Sequence, residues 1–440
     1  MPVPAPRDWR GVFGQLGPGL ILSAMVVGSG ELIVTPKLGA AAGFTMLWFI
    51  VLGCVIKVFV QVELGRHAVT TGATTLAALD RVPGPRLRVS WLLWLWLVMY
   101  VALVFQVAGI VGGLAGVLSL AGLGLPVPWL AVLIGASCAL LLVRGRYRTI
   151  EGVSAAFVAA FTFATLGAAA LLQATPFAVS FGDLREGLSF RLPESFNTAF
   201  AAFGVIGVGA SELIYYPYWC LEKGYGASVG PPEPSSAWAE RARGWLRVMK
   251  LDAWLSCLVY TTATVAFYVL GAAVLHAKRL VVEDRLMIET LSHMYGETFG
   301  AWSLWLFLAG AFAVLYSTAF GATASNARLF ADALAVFRLA RYADPEQRER
   351  MVRVGCVLLP LGYTALFLLV GAPVSLVFVG AFAQGLMLPF LALATLHLRF
   401  REVDPRLRPG AAWTALLGLS VLAMVAAGAY QVVDQLRRVF

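Results

Sequence analysis

The sequence predicts an all-α polytopic membrane protein of about eleven transmembrane helices, built as a 5+5 inverted repeat with one extra C-terminal helix. Three observations carry that expectation. Of the 440 residues, 60 % are hydrophobic and 13 % charged, with a mean hydropathy of +0.81, too little charge to cover a soluble surface of this length. Apolar runs of roughly 20 residues, the length that crosses a bilayer core, recur along the whole chain, and the ten-residue alternation of a β-barrel is absent. A nonapeptide is also written twice, as GSGELIVTP at Gly28–Pro36 and as GASELIYYP at Gly209–Pro217, with Gly, Glu, Leu, Ile and Pro held in register.

The spans follow in order, with approximate bounds read from apolar length. The first covers about 14–41 and is interrupted near 28–31, where glycines loosen the helix. The apolar run that follows the N-terminus is long and has no small-residue cleavage pattern, so no cleavable signal is expected. The second span is about 45–67, the third about 89–120, the fourth about 127–143 and the fifth about 150–173. The tryptophan cluster WLLWLWL (Trp91–Leu97) at the start of the third reads as an interfacial belt. The sixth span is about 198–221, interrupted near 209–212, and the Pro/Ser-rich stretch Ser228–Trp238 after it reads as a linker. The seventh is about 247–275, and Glu283–Glu297 reads as an amphipathic helix lying at the outer interface. The eighth is about 300–333, the ninth about 353–370, the tenth about 373–397 and the eleventh about 412–434. One transmembrane domain, 1–440, therefore holds a first repeat over 11–175, a second over 196–398 and a last helix over 409–436.

Most of the 33 lysines and arginines fall before the first span or after even-numbered ones. That bias places the N-terminus in the cytoplasm, and eleven spans then place the C-terminus outside. The cations are spread over separate segments, which argues against a nucleic-acid partner. The five cysteines lack metal-ligand spacing and read as small core residues, and the four histidines are scattered. No nucleophile–base pair, cofactor loop or helical His-x-x-x-His site is present, so no enzyme and no resident cofactor are expected.

The two copies of the nonapeptide sit five spans apart, so they enter the membrane from opposite sides. Transporters built this way place their substrate site at the midplane, between two discontinuous helices. Each copy sets a glutamate, Glu31 or Glu212, in mid-span, where a carboxylate costs about 2.5 kcal/mol or more. Downstream, Pro36 and Pro217 each lack a backbone donor. The glutamates can be structural, paired with Lys37, Lys57 or Arg328. Alternatively, facing carboxylates with the hydroxyls of Ser29 and Ser211 and freed carbonyls at Gly28 and Gly209 form an oxygen-rich cage suited to a hard divalent cation. Elsewhere, Glu63 reads as a partner of Arg66 or Lys57. Asn326, Ser317, Thr318 and Thr323 read as interhelical hydrogen bonds or as path-lining groups. Tyr215, Tyr216 and Tyr218 read as aromatic packing or a gate.

At this point the chain resembles the Nramp family of divalent-metal transporters, within the group that shares the leucine-transporter-type fold. LGPGLILSAMVVGSGELIVTPKLGAAAGFTMLW is similar to that family's first helix and the entry to its second. VQVELGRHAVTTG, with Gln61, Arg66, Thr71 and Gly72, resembles the end of the second. YSTAFGATASNARLFAD resembles the hydroxyl-rich eighth, and GLMLPF the Leu-Pro-Phe stretch of the tenth. The resemblance implies alternating-access transport of a divalent metal.

Several family positions are changed. The metal-binding aspartate falls on Gly28 and its asparagine on Glu31. The methionine of the sixth helix falls on Glu212, or one position either side on Ser211 or Leu213. The histidine becomes Tyr215 or Tyr216. The acidic pair of the third helix is absent, with only Gln106 there, and the glutamine of the tenth falls on Ala381 with Gln384 one turn on. Losing the thioether removes a preference for soft metals, and losing the acids removes the family's proton path. The chain shares those losses with divergent relatives that move magnesium without protons.

The expectation is a transporter of Mg²⁺ or Mn²⁺ as cargo, with Glu31, Glu212, Gly28, Gly209 and Ser211 at the metal. Gln384, Tyr215, Tyr216 and Asn326 are expected along the path, and the protein in the bilayer of a bacterial inner membrane. An amino-acid or cationic-amine transporter of the same fold is the alternative, because the helix N-termini at such breaks favour anionic groups. A membrane sensor or scaffold is a third.

Overall fold

The computed structural model describes residues 2–28, 30–143, 166–191, 196–280, 288–292, 302–342 and 344–439, with isolated positions between; the side chains of 31, 196–197 and 435–439 are outside that set. The described chain is helical except for a two-residue hairpin, Arg86–Leu87 against Val89–Ser90. Eight described helices are long and apolar enough to cross a membrane, and two shorter apolar ones accompany them. The fifth span falls mostly outside the described residues, as does the interfacial helix expected over Glu283–Glu297. Of the latter, 288–292 is helical, with Ile288 and Leu291 buried.

The first span is made in pieces. A short helix α1 (Trp9–Gln15) is capped by Asp8, which accepts from Gly11 N. Helix α2 (Pro18–Val26) begins with proline at its first position, where no amide is needed. The chain turns at Val27–Gly28, winds one π-turn over Gly30–Val34 and resumes as α3 (Thr35–Ala42). Pro36 therefore sits in a first turn, where its missing donor costs nothing. The interruption expected near 28–31 is present.

The second to fourth spans are α4 (Leu47–Thr71), α5 (Trp91–Leu120) and α6 (Val127–Val143). The tryptophans of the cluster expected as an interfacial belt do not all face outward. Trp94 is exposed, but Trp96 is fully buried and packs on Tyr100 at 5.1 Å, because helical spacing turns it to the bundle interior.

The sixth span is also broken, a few residues earlier than expected. Helix α7 (Phe196–Val205) ends, residues 206–209 are not helical, and α8 (Ala210–Glu222) restarts with Gly209 as its N-cap. Gly207 takes a left-handed φ of 59° there, which glycine alone adopts freely. Ser211 and Glu212 thus belong to the first turn of α8. The break lies earlier because α4 reaches into it: buried Lys57 donates to the carbonyls of Phe203 at 2.5 Å and Ile206 at 2.6 Å. Those carbonyls have lost helical partners and gained an ammonium instead.

Helix α9 (Ser236–Leu270) runs on through a π-turn at Gly271–His276, making one rod of 41 residues. The linker is correspondingly shorter than expected. Tyr225–Val229 is a helical turn, and Ser235 caps α9 by accepting from Trp238 N. The remaining spans are α10 (Ser303–Val336), α11 (Pro345–Val370), α12 (Pro373–Arg401) and α13 (Ala411–Val439). The five cysteines are buried and free. Helix α8 lies at the centre, with Leu213 through Cys220 all buried.

Candidate functional site at the two helix breaks

The breaks meet. A Cβ on Gly30 would stand 3.2 Å from the Val205 carbonyl oxygen, so the π-turn of the first span faces the end of α7. Gly28 is pressed against α10: a Cβ there would fall 1.7 Å from Thr318 Oγ1, and only glycine permits that approach. Thr318 and Ser317 donate back to the Ala24 carbonyl at 3.4 and 3.1 Å. The interhelical reading of these hydroxyls is thereby met, whereas Thr323 bonds within its own helix to Ala319 O.

Between the breaks lies a cavity of about 20 Å³, lined among others by Gly30, Ser211, Glu212, Tyr215, Gln384 and Gln106. A volume of that order holds about one water-sized species. Its polar wall is a chain of hydrogen bonds. Ser211 Oγ lies 2.8 Å from Glu212 Oε1 and 2.7 Å from Gln384 Oε1. Ser211 N donates to the same Gln384 oxygen at 3.0 Å, and Gln384 Nε2 donates to Gln106 Oε1 at 2.9 Å. The backbone donor fixes which way the Gln384 amide points. The single Ser211 hydroxyl proton then has two acceptor oxygens to serve. A proton on Glu212, or a cation beside it, relieves that shortage. Gly209 is required here because a Cβ would stand 2.6 Å from Glu212 Oε2 and 2.4 Å from Gln384 Oε1.

The other expected site residues divide. Tyr215 lines the cavity and donates to Asn326 Oδ1 at 2.6 Å. Asn326 stands behind it, donating in turn to Tyr363 at 3.1 Å. Tyr216 turns away and donates to Asp252 Oδ2 and the Met249 carbonyl, both at 3.0 Å. The carbonyls of Gly28 and Gly209 already accept from Leu32 N and Leu213 N, leaving each one lone pair. Glu31 lies in the π-turn by its backbone, and its carboxylate is outside the described set, as is Ser29.

Of the basic residues considered as structural partners for the glutamates, Arg328 is engaged by another acid, in a two-pronged pair with Glu222 at 2.6 and 2.9 Å. Lys37 stands over the Phe378 ring at 4.8 Å, and Lys57 holds the α7 carbonyls. Glu63 does pair with Arg66 at 3.2 Å, and also with Arg399 at 2.9 Å and Trp413 Nε1 at 2.7 Å. Sequence reasoning missed Met25, whose side chain lines the cavity while its sulfur accepts from Ser325 Oγ at 3.3 Å. Nothing in its apolar surroundings distinguishes it from a core methionine. Among the described residues, no group of three His, Cys, Asp or Glu side chains comes together.

A family model described as natural resistance-associated macrophage protein-like matches residues 19–434. An uncharacterised protein of Pasteurella multocida is 24 % identical over 94 % of the chain and 91 % of its own length. A protein of Populus trichocarpa named metal transporter Nramp2 is 32 % identical over 35 % of the chain and 28 % of its own length. Among solved structures, a variant of the Eremococcus coleocola manganese transporter superposes with a TM-score of 0.72 at 16 % identity, over 98 % of this chain and 89 % of that one. A nucleobase-cation-symport-1 family transporter superposes with a TM-score of 0.60 at 16 % identity, over 97 % and 92 %. At such identities the likeness is one of fold: the leucine-transporter-type arrangement shared by both.

Proposed function

From the chain's membership of the natural resistance-associated macrophage protein-like (Nramp) family, we propose that it is a secondary transporter of a divalent metal cation, with Mg²⁺ or Mn²⁺ as the favoured cargo. The observation that carries the reading is the hydrogen-bonded wall at the α7–α8 break, where Glu212, Ser211 and Gln384 present oxygen to a cavity facing the first-span break. Hard oxygen donors favour Mg²⁺ or Mn²⁺ over thiophilic ions. Among the described residues of the wall the one thioether, Met25, is engaged by Ser325. The manganese transporter of the same fold supports this cargo class.

The metal ligands in this reading are Glu31, Glu212, Ser211 and carbonyls at the breaks, including Gly28 and Gly209. Gln384 and Tyr215 complete the wall, and Asn326 supports Tyr215. The repeats over 11–175 and 196–398 rock about this point to give alternating access. The cation bias favours an N-terminus on the cytoplasmic side of the membrane. An amino acid fits this site less well, since the Glu212 carboxylate repels its carboxyl group.

The test is uptake into liposomes that hold a metal-indicator dye, with a panel of divalent ions outside. Wild type should admit Mg²⁺ or Mn²⁺, and both Glu31→Gln and Glu212→Gln should fail to. Wild-type uptake by both glutamine variants would make the repeated glutamate structural and end this reading.

A further inference from the structure

We propose a second site, for the phosphate of an anionic phospholipid, in a groove between the N-terminal segment and the start of α9. The groove has a volume of about 780 Å³, and four arginines line it (Arg7, Arg241, Arg243 and Arg247) against a single acid, Glu240. It is a built feature: Val3 N donates to Ser228 O at 2.9 Å, and Trp245 Nε1 donates to Val3 O at 2.8 Å, pinning the N-terminal segment as one wall. Arg241 serves the wall too, donating to Val229 O at 2.9 Å. Among the described residues, Arg7, Arg243 and Arg247 form no ion pair. Concentrated positive charge without counter-charge is unfavourable by self-repulsion, and an anion supplies the missing partner.

The position on α9 selects a lipid as the source of that anion. Arg243, Arg247, Leu251, Trp254 and Leu258 succeed one another at steps of four, four, three and four residues, so they form one face of the helix. Arginines occupy its first two positions. Further along, Trp254 is partly exposed and Leu258 is 65 % exposed, the apolar surface that acyl chains cover. From Arg247 to Trp254 the rise is roughly 10 Å, matching the step from headgroup phosphate to upper acyl chain. Across the groove, Trp9 and Phe13 of α1 are 72 % and 55 % exposed, as aromatic side chains are at a membrane surface. Basic groups beside a span at this depth attract anionic headgroups.

The experiment is native mass spectrometry of the purified full chain with phosphatidylglycerol, phosphatidylcholine or inorganic phosphate at equal concentration. Phosphatidylglycerol should remain bound where phosphatidylcholine is lost, and inorganic phosphate should not displace it. The double variant Arg243→Gln/Arg247→Gln should bind phosphatidylglycerol about tenfold or more weakly. The Arg353→Gln variant, on exposed α11 surface, should bind like wild type. Equal retention of the two lipids, displacement by inorganic phosphate, or unchanged binding by the double variant would each overturn the proposal. The comparisons on the wild-type chain stand whether or not the variant folds.

Discussion

Beside Glu212, Ser211 Oγ is shared between one carboxylate oxygen at 2.8 Å and Gln384 Oε1 at 2.7 Å. Replacing the carboxylate by an amide removes the charge that a divalent ion needs while keeping the shape. Glu212→Gln should therefore weaken Mn²⁺ binding by more than about tenfold in calorimetry. Glu212→Met should shift preference towards Cd²⁺; a variant with unchanged metal order would show that this position does not touch the ion.

Glu212 was legible because a carboxylate inside an apolar run is expensive, and its repetition with Glu31 marked both. Lys57 was legible only as a charge. Its role emerges from which carbonyls it meets, which depends on how α4 docks against α7. Truncating it strands two buried carbonyls, so Lys57→Met should lower stability by about 2 kcal/mol or more, read as a drop in the thermal midpoint in detergent.

The elements themselves were largely readable from apolar length, and their interruptions from glycine. What could not be read was where a break falls to within a turn, since partners distant in sequence decide it. Helix α2 shows the same dependence. Its first amides, Gly17 N and Gly19 N, donate at 3.0 and 2.7 Å to the buried carboxylate of Asp252, more than 230 residues away on α9. Tyr216 Oη adds a third bond at 3.0 Å. A carboxylate at a helix N-terminus meets both the unpaired donors and the positive end of the dipole, so Asp252 ties α2 to α8 and α9. Asp252→Asn keeps one acceptor and loses the charge. The α2 amides should then exchange hydrogen faster while those of α12 do not change; equal protection in α2 would mean the carboxylate contributes nothing to holding it.

At the scale of the whole molecule, the far ends of the spans are joined by charges that sequence alone cannot pair. Glu402, just past α12, accepts from Arg81 at 2.7 Å and His67 at 2.7 Å. Partial burial pushes its carboxyl upward, but these hydrogen bonds outweigh it and hold the group below the usual carboxylate range. A depressed acid stabilises the fold above its unfolded pKa, and the gain is lost as pH falls through the folded value. Glu402→Gln should thus lower the thermal midpoint at pH 7, with the difference from wild type closing below about pH 4.

The same scale governs coupling. A proton that travels with the metal needs titratable groups leading away from the cavity. On the α5 side the wall is Gln106, bonded to Gln384, and α5 itself, Trp91–Leu120, contains no acid, base or histidine. An amide pair conducts no proton by titration. Metal influx into liposomes carrying a pH dye should therefore proceed with little internal acidification. Acidification that tracks metal entry would place the proton on Glu31 or Glu212 themselves, and Glu212→Gln would then abolish it.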